Sequence, residues 1–468
     1  MQLDECSRAF FQMEMEEHFF SSRTPNGDPF WDVVRSEVFF SLFDEVNEPG
    51  QPRNPSTSRL QHSWLTKIHS SALKVGSMAN QWARFKRIRP ADFVAFVTSR
   101  YKDVNGEPID FASEDAVNAL SKMGSIQRVE SRLNLLQDIN SNTLISVAAR
   151  VYRTPASYEQ YFREAATVIA DAERKYFGVI DPHLFNVIRR VYKSHLVERR
   201  IWREILDRSQ PRLVLMTQNG IQKGLIFEAR KRHISVVECQ HGNINAMHPG
   251  YSYPPSLSPG EAVLLPEALL LFSEYWKRQC LMPGTKIVVV GNNRFSSVGA
   301  HSTRTGAAVF VSHLNLHIHE YLSPLAMEVA QSMPDRDFIM KLHPSQLSDR
   351  AVIEREYQDI PNLAVVGMEK SIPDLLVDAS DIIILMSTAS YEALDRGVPV
   401  HILRKAGYMW HQDLFPQPEV HLFSTAEELQ SALFKPINHP ENSSRFFDAF
   451  DPIVFRELVR SYIEGITL

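Results

Sequence analysis

Asp337-Phe338-Ile339-Met340-Lys341-Leu342 runs straight into His343-Pro344, and Asp381-Ile382-Ile383-Ile384-Leu385-Met386 runs into Ser387-Thr388-Ala389-Ser390. Both are short, continuous apolar runs of the kind that form buried strands. Each ends in small polar or titratable groups. The second passes into a helix carrying Tyr391-Glu392-Ala393-Leu394 and closes at Gly397-Val398-Pro399-Val400. In a parallel α/β sheet, ligands bind at the carboxyl ends of the strands, beside helix amino termini whose unbonded N–H groups favour phosphate. The pattern suits a nucleotide-linked ligand.

The same alternation extends outward in both directions. Downstream of residue 306 the apolar runs predict strands at 307–311, 337–342, 362–366, 381–386 and 399–403 with helices between them. Ser371-Ile372-Pro373-Asp374 and Thr425-Ala426-Glu427-Glu428 carry the capping-box pattern of helix starts. Upstream, strands are predicted at 92–98, 212–217, 235–240, 268–272 and 287–290, with a helix over 220–232. Residues 111–209 read mostly as helix, with long segments near 156–177 and 184–207. Such alternation argues for parallel, doubly wound sheets. The stretch 296–306 has no apolar pattern and reads as an interdomain linker. The expected architecture is α/β, with two Rossmann-like domains facing a cleft. Residues 1–90 are a helical amino-terminal extension, 91–296 the first domain with a helical insertion, 306–436 the second, and 437–468 carboxyl-terminal helices.

Composition narrows the function. A chain of 468 residues is too long for one ordinary core. A hydrophobic content of 44% with 22% charged residues is that of a globular protein, and a net charge of −5 argues against nucleic acid as the main partner. Cys6, Cys239 and Cys280 form neither a disulfide framework nor a zinc pattern. The start Met1-Gln2-Leu3-Asp4-Glu5 lacks the features of a secretory signal, and no stretch approaches the roughly 20 apolar residues of a membrane span. A cytoplasmic location is expected. The aromatic segment 62–87, with Lys67, Lys74, Arg84, Lys86 and Arg87, reads foremost as a packed helix with a solvated basic face. Peripheral contact with the inner membrane or with an acceptor is the alternative.

Three constellations carry chemistry. In Lys341-Leu342-His343-Pro344 the proline forces His343 into an extended conformation at the strand end, where an imidazole can donate to a phosphate oxygen. The competing reading is a plain strand-ending turn. Ser387, Thr388 and Ser390 offer hydroxyls where a strand meets a helix, and Glu392, one turn beyond Thr388, suits ribose hydroxyls. Ordinary helix capping uses the same serines. In Glu238-Cys239-Gln240-His241-Gly242-Asn243, a sharp turn at Gly242 would leave His241 beside Asn219-Gly220, where it or Glu238 could take a proton from a hydroxyl. A structural histidine is the other reading. His248, His301, His313, His317 and His319 have no metal-ligand spacing, and no metal or other cofactor is expected. Neither half contains Gly-x-Gly-x-x-Gly after a strand or a Gly-Lys-Ser/Thr loop, which weakens dehydrogenase and P-loop readings.

Four segments occur in a telling order: Gln240-His241-Gly242, Val289-Val290-Gly291-Asn292-Asn293-Arg294-Phe295, Lys341-Leu342-His343-Pro344, and Ser387-Thr388 through Pro399. Together they resemble the GT-B-fold glycosyltransferases of bacterial surface and capsular polysaccharide synthesis. The relatives in view are sialyl- and Kdo-transferases and the related CDP-glycerol glycerophosphotransferases. The resemblance covers roughly residues 210–405, and the opening Phe30-Trp31-Asp32-Val33-Val34-Arg35 is similar to openings in such proteins. Two departures stand out, Ser296 where relatives often carry aspartate and Asn293 in place of proline. The resemblance implies a metal-independent transferase with a first, acceptor domain and a second, donor domain. It implies a nucleotide-sugar donor (a CMP-sugar favoured) and a glycan or glycolipid acceptor. It places His343 and Pro344 at the donor phosphate, with Ser387 and Thr388 at the nucleotide phosphate or a sugar carboxylate. Lys341 and Ser390 would add to the stabilisation of the departing charge. Rivals are a CDP-alditol glycerophosphotransferase-like polymerase, a nucleotide-sugar 2-epimerase, and a non-enzymatic binder of sugar nucleotides.

Overall fold

The computed structural model describes residues 3–47, 85, 87–98, 101–102, 108–130, 139–140, 148–149, 152–258, 260, 263–293, 306–313, 321–405, 407–434 and 446–465. Apart from residues 85 and 87, the basic segment 62–87 lies outside them, as do residues 296–305, His317 and His319. Two compact units emerge, one of Met1–Asn292 with Phe450–Leu468, the other of Asn293–Ala449.

The first unit contains β1 (Phe93–Val97), β2 (Tyr101–Lys102), β3 (Pro108–Ile109), β4 (Ile126–Glu130), β5 (Ile139–Asn140), β6 (Leu213–Met216), β7 (Ser235–Cys239), β8 (Ala268–Leu271) and β9 (Lys286–Val289). Strands β2 and β3 pair antiparallel by themselves. The others form a seven-stranded sheet in the order β5-β4-β1-β6-β7-β8-β9, with every pairing parallel. Phe93-Val94-Ala95-Phe96-Val97 and Leu213-Val214-Leu215-Met216 are buried throughout. Covering on both faces is what makes such strands continuous apolar runs. Strands β4 and β5 correct the expectation of helix through most of 111–209. Ile126-Gln127-Arg128-Val129-Glu130 has only two apolar residues, and it is extended because β1 offers it a ladder, Phe93 opposite Ile126 through Val97 opposite Glu130.

Helices Ala156–Phe177 and Leu184–Ser209 follow where helical periodicity predicts them. The second buries Leu184, Val187, Ile188, Tyr192 and Trp202 along one stripe. Helix Trp31–Asn47 packs on it, burying Val33, Val34, Val38, Phe39 and Leu42. Helix Pro452–Glu464, capped by the Asp451 carboxylate on the N–H groups of Ile453 (2.8 Å) and Val454 (3.1 Å), belongs to the same unit. Its Phe455, Leu458 and Val459 enter the core with Phe93, Ala95 and Leu213.

The second unit is a six-stranded, all-parallel sheet of β10 (Ala308–Val311), β11 (Phe338–Lys341), β12 (Leu363–Val366), β13 (Asp381–Ile384), β14 (Val400–Leu403) and β15 (Val420–Phe423). The order is β12-β11-β10-β13-β14-β15. The last strand, Val420-His421-Leu422-Phe423, was absent from the expected set. Its turn-like approach through Pro416 and Pro418 hides a ladder that runs in full along β14. Gly397 turns the helix Ala389–Asp395 back to β14 at φ 69°, a conformation that side-chain-bearing residues resist. Ser371 and Asp374 form the expected capping box, and Thr425 accepts from the Glu428 N–H at 3.3 Å. Among the described residues, no helix is long and apolar enough to cross a membrane. The expected fold class, paired doubly wound α/β sheets with a helical amino-terminal part, is the one observed.

Candidate functional site

In the second unit the chain passes from central β10 to β11 and β12 on one side, then to β13, β14 and β15 on the other. The strand order therefore reverses between β10 and β13, the point at which open parallel sheets take ligands at their strand carboxyl ends. Val311 pairs with Lys341 and with Ile384. That register brings Ser312-His313, Leu342-His343 and Leu385-Met386-Ser387 to one edge. The rings of His313 and His343 lie 6.4 Å apart. Buried Gln346 stitches their loops together. Its Oε1 accepts from the His343 N–H (3.1 Å) and from Ser312 Oγ, and its Nε2 donates to the His313 carbonyl at 2.8 Å. Ser312 Oγ accepts the His343 N–H at 2.8 Å. Pro344 opens the 3-10 turn Pro344–Asp349.

Ser387 donates its backbone N–H to His411 Nε2 at 3.1 Å, and its Oγ accepts from the Ala389 N–H at 3.2 Å. Ser390 donates to the Ser387 carbonyl at 2.9 Å and lies 3.4 Å from His411 Nδ1. A nitrogen that accepts an N–H bears no proton, so the His411 proton sits on Nδ1, facing Ser390. Burial, with a contribution from His313, pushes His411 down to about 3. It is a neutral acceptor that fixes the loop after β13. Ser390 and Glu392 are buried, whereas Thr388 is exposed and Ser387 half-buried. Thr388, at the N-cap, makes no side-chain capping bond. Lys341 is buried and turns its ammonium to the Gly367 carbonyl, and burial lowers its pKa against the opposing pull of Glu369.

In the first unit the carboxyl end of β7 carries a chain of three side chains. Fully buried Glu238 accepts from the Asn219 N–H (3.0 Å) and Asn219 Nδ2 (2.7 Å), and from the Tyr251 hydroxyl at 2.9 Å. The Tyr251 oxygen is also 3.1 Å from His241 Nδ1. Burial raises the Glu238 pKa, and the three donors oppose it. Because Tyr251 gives its one proton to the carboxylate, it accepts from His241 Nδ1–H. The lone pair of the imidazole is then on Nε2. Such a chain can orient an imidazole and stabilise its protonated form, as the third member of a hydrolase triad does.

The structure thus brings His241, Glu238 and Asn219 together as the sequence suggested. It assigns the turn differently. Gly242 does not enter the left-handed region. Gln240 holds the loop instead, accepting from the Phe272 N–H and donating to the Gly242 carbonyl, both at 2.9 Å. In the second unit His343 and Ser387 share an edge. Sequence reasoning missed three residues: His313, set aside for lack of metal-ligand spacing, and His411 and Tyr251, each reaching its partner from far along the chain. For His313 the signal was present, a strand ending in Ser-His just as β11 ends before His343. Among the described residues no group of three or more His, Cys, Asp or Glu is placed to hold a metal ion.

No protein-family model matches the chain, and no curated protein matches it. Solved structures similar to it include the UDP-GlcNAc 2-epimerase of Methanocaldococcus jannaschii in complex with UDP-GlcNAc and UDP. That likeness is 13% identical and covers 80% of this chain and 99% of that one at a TM-score of 0.48. The UDP-GlcNAc 2-epimerase of Neisseria meningitidis bound to UDP-GlcNAc is 14% identical over 80% of this chain and 100% of that one, at 0.43. A spinosyn rhamnosyltransferase is 13% identical over 80% of this chain and 95% of that one, also at 0.43.

Proposed function

We propose that the protein is a glycosyltransferase that moves a sugar from a nucleotide-activated donor to a glycan or glycolipid acceptor. A CMP-sugar is the favoured donor and a surface polysaccharide the favoured product. The observation that supports this most is the pairing of the His313 and His343 rings, at the sheet edge that also carries Ser387, at the switch point of the second sheet. In this reading the bond between the anomeric carbon and the donor phosphate breaks as the new glycosidic bond forms. Negative charge grows on the departing phosphate, and His343 and the Ser387 and Thr388 hydroxyls donate to it. Ser390 and His411 hold the loop that presents them, and Lys341 braces the neighbouring strand end. In the first unit His241 Nε2 receives the acceptor proton, while Glu238 orients it through Tyr251.

A thermal-shift series with CMP, CDP, UDP and GDP tests the donor half. A ligand that binds only the folded state at 100 times its Kd adds about 2.7 kcal/mol of stability. No stabilisation by any of the four sinks the reading. Product analysis then separates a glycoside from the phosphodiester of an alditol-phosphate transferase. Consumption of the donor without any acceptor points instead to epimerisation.

A further inference from the structure

The opening Trp31-Asp32-Val33-Val34-Arg35, singled out in the sequence, has no part in the roles above, yet its Asp32 and Arg35 build a buried charged cluster with Glu14 and Lys223. Asp32 and Arg35 lie three residues apart on one helix face. Arg35 is bound by Glu14 through Nε and, at 3.0 Å, through Nη2, and Trp31 Nε1 donates to the same carboxylate at 2.7 Å. Two further donors of Arg35 go to main-chain carbonyls, Nη1 to Pro249 and Nη2 to Ser252 at 2.9 Å. Its guanidinium also stacks on the Tyr253 ring, 4.3 Å from the centroid. Asp32 accepts from the Tyr253 hydroxyl (2.8 Å) and from the Leu264 N–H (2.7 Å), and pairs with Lys223 at 3.0 Å. Lys223 in turn donates to the Leu264 carbonyl at 2.8 Å.

Three of these bonds grip the segment on either side of Tyr251. Pro249 and Ser252 are held by Arg35, Tyr253 by Asp32, and the Gly250 carbonyl by Asn219 Nδ2 at 3.2 Å. Leu281 closes the grip, donating its N–H to the Tyr251 carbonyl at 2.8 Å and accepting the Tyr253 N–H at 2.9 Å. A buried ion pair is a weak source of net stability, and its better-supported use is to fix one arrangement among several. Here the arrangement fixed is the phenol that joins Glu238 to His241.

We propose that Asp32 and Arg35 are positioning residues: by clamping residues 249–253 they hold the Tyr251 hydroxyl between Glu238 and His241, and so set which nitrogen of His241 carries its proton. This rests on His241 being the base of the proposed reaction, but the tautomer is readable without any reaction.

Nitrogen-15 histidine spectra of the full-length protein, with the His241 signal assigned through His241→Gln, provide the test. The wild type is expected to show the Nδ1–H form. Arg35→Lys, which keeps the charge and loses the two-carbonyl fork, is expected to move His241 toward the Nε2–H form. Histidine signals other than that of His248, which borders the segment, should stay in place, and turnover should fall about tenfold with donor KM unchanged. Tyr253→Phe, which severs Asp32 from the segment and leaves the ion pairs intact, gives the same readout should Arg35→Lys fail to fold. An unchanged His241 tautomer in the folded variant overturns the proposal, whatever happens to turnover. A shifted tautomer in a protein that transfers no sugar supports the clamp and counts only against the transferase reading.

Discussion

At the edge of the first sheet His241 leans on a tyrosine that leans on a buried carboxylate, whereas at the edge of the second His411 accepts a backbone N–H and faces a serine. The rings are alike and their surroundings give them opposite tasks. A chain that ends on a carboxylate stabilises the imidazolium that forms when the ring takes a proton. A buried ring committed as an acceptor is kept neutral, and burial takes His411 down to about 3. The first arrangement favours a ring that takes up a proton, the second a ring that stays neutral. Under the proposed reading the anion in the second unit falls to His343, beside His313, and to the hydroxyls after β13.

The sharpest way to break this contrast is His343→Ala. If His343 meets the departing phosphate, turnover should drop about 100- to 1,000-fold while the melting temperature stays within a degree or so. Intact turnover in that variant would remove the anion-receiving role from the second unit.

Next in size is a packing test of the first unit's reliance on buried carboxylates. Glu198 caps the helix Lys223–Arg230 by accepting the N–H groups of Gly224 and Leu225, both at 3.1 Å. A Cβ on Gly224 would lie 2.7 Å from that carboxyl group. Gly224→Ala should cost about 1–3 kcal/mol by urea denaturation. A neutral result would show that the Glu198 carboxyl group can retreat, and that it is less fixed than the hydrogen bonds imply.

A smaller effect concerns acid. His411 has a folded pKa near 3 against an ordinary value of 6.5, so below 6.5 the unfolded chain binds a proton that the folded one refuses. Stability is full above pH 6.5 and declines as pH falls toward 3, by about 2 kcal/mol at pH 5 from this group alone. His248 in the first unit, lowered to about 4 by burial, adds a loss of the same sign. His411→Asn should flatten the second unit's share of the slope in denaturation curves at pH 7 and pH 5. An unaltered slope would mean the ring is already wet in the native state. Smallest is Thr425→Ala, which removes one helix cap and should cost about 1 kcal/mol with no effect on nucleotide binding. A change in the nucleotide thermal shift would mark that helix as coupled to the site.

The strands that run as unbroken apolar stretches were legible, because burial on both faces writes itself directly into composition. β13 is the plainest case, with Ile382, Ile383 and Ile384 all buried. β4 was not, since a strand with Gln127 and Arg128 in its middle is held by its neighbour's ladder and not by its own pattern. The strand-end residues His343, Ser387 and His241 could be named because a sheet edge is a local position in sequence. Their orientation could not. Ser390 looked like an outward hydroxyl and is turned inward, because His411, more than twenty residues on, offers it a ring. Lys341 looked like a free cation and is held by the Gly367 carbonyl of the adjacent loop. Partners of that kind are chosen by topology, and no spacing rule announces them.

The helix Pro452–Glu464 lies in the first unit although the whole second unit precedes it in the chain. A ribosome therefore delivers the sheet of the first unit long before the segment that covers Phe93 and Leu213. Until Phe455, Leu458 and Val459 arrive, that apolar face has to wait uncovered, and the second unit can finish folding ahead of the first. Synthesis order and assembly order are uncoupled in this molecule, and premature termination after Ala449 would leave an intact second unit tethered to a first unit whose core is still open.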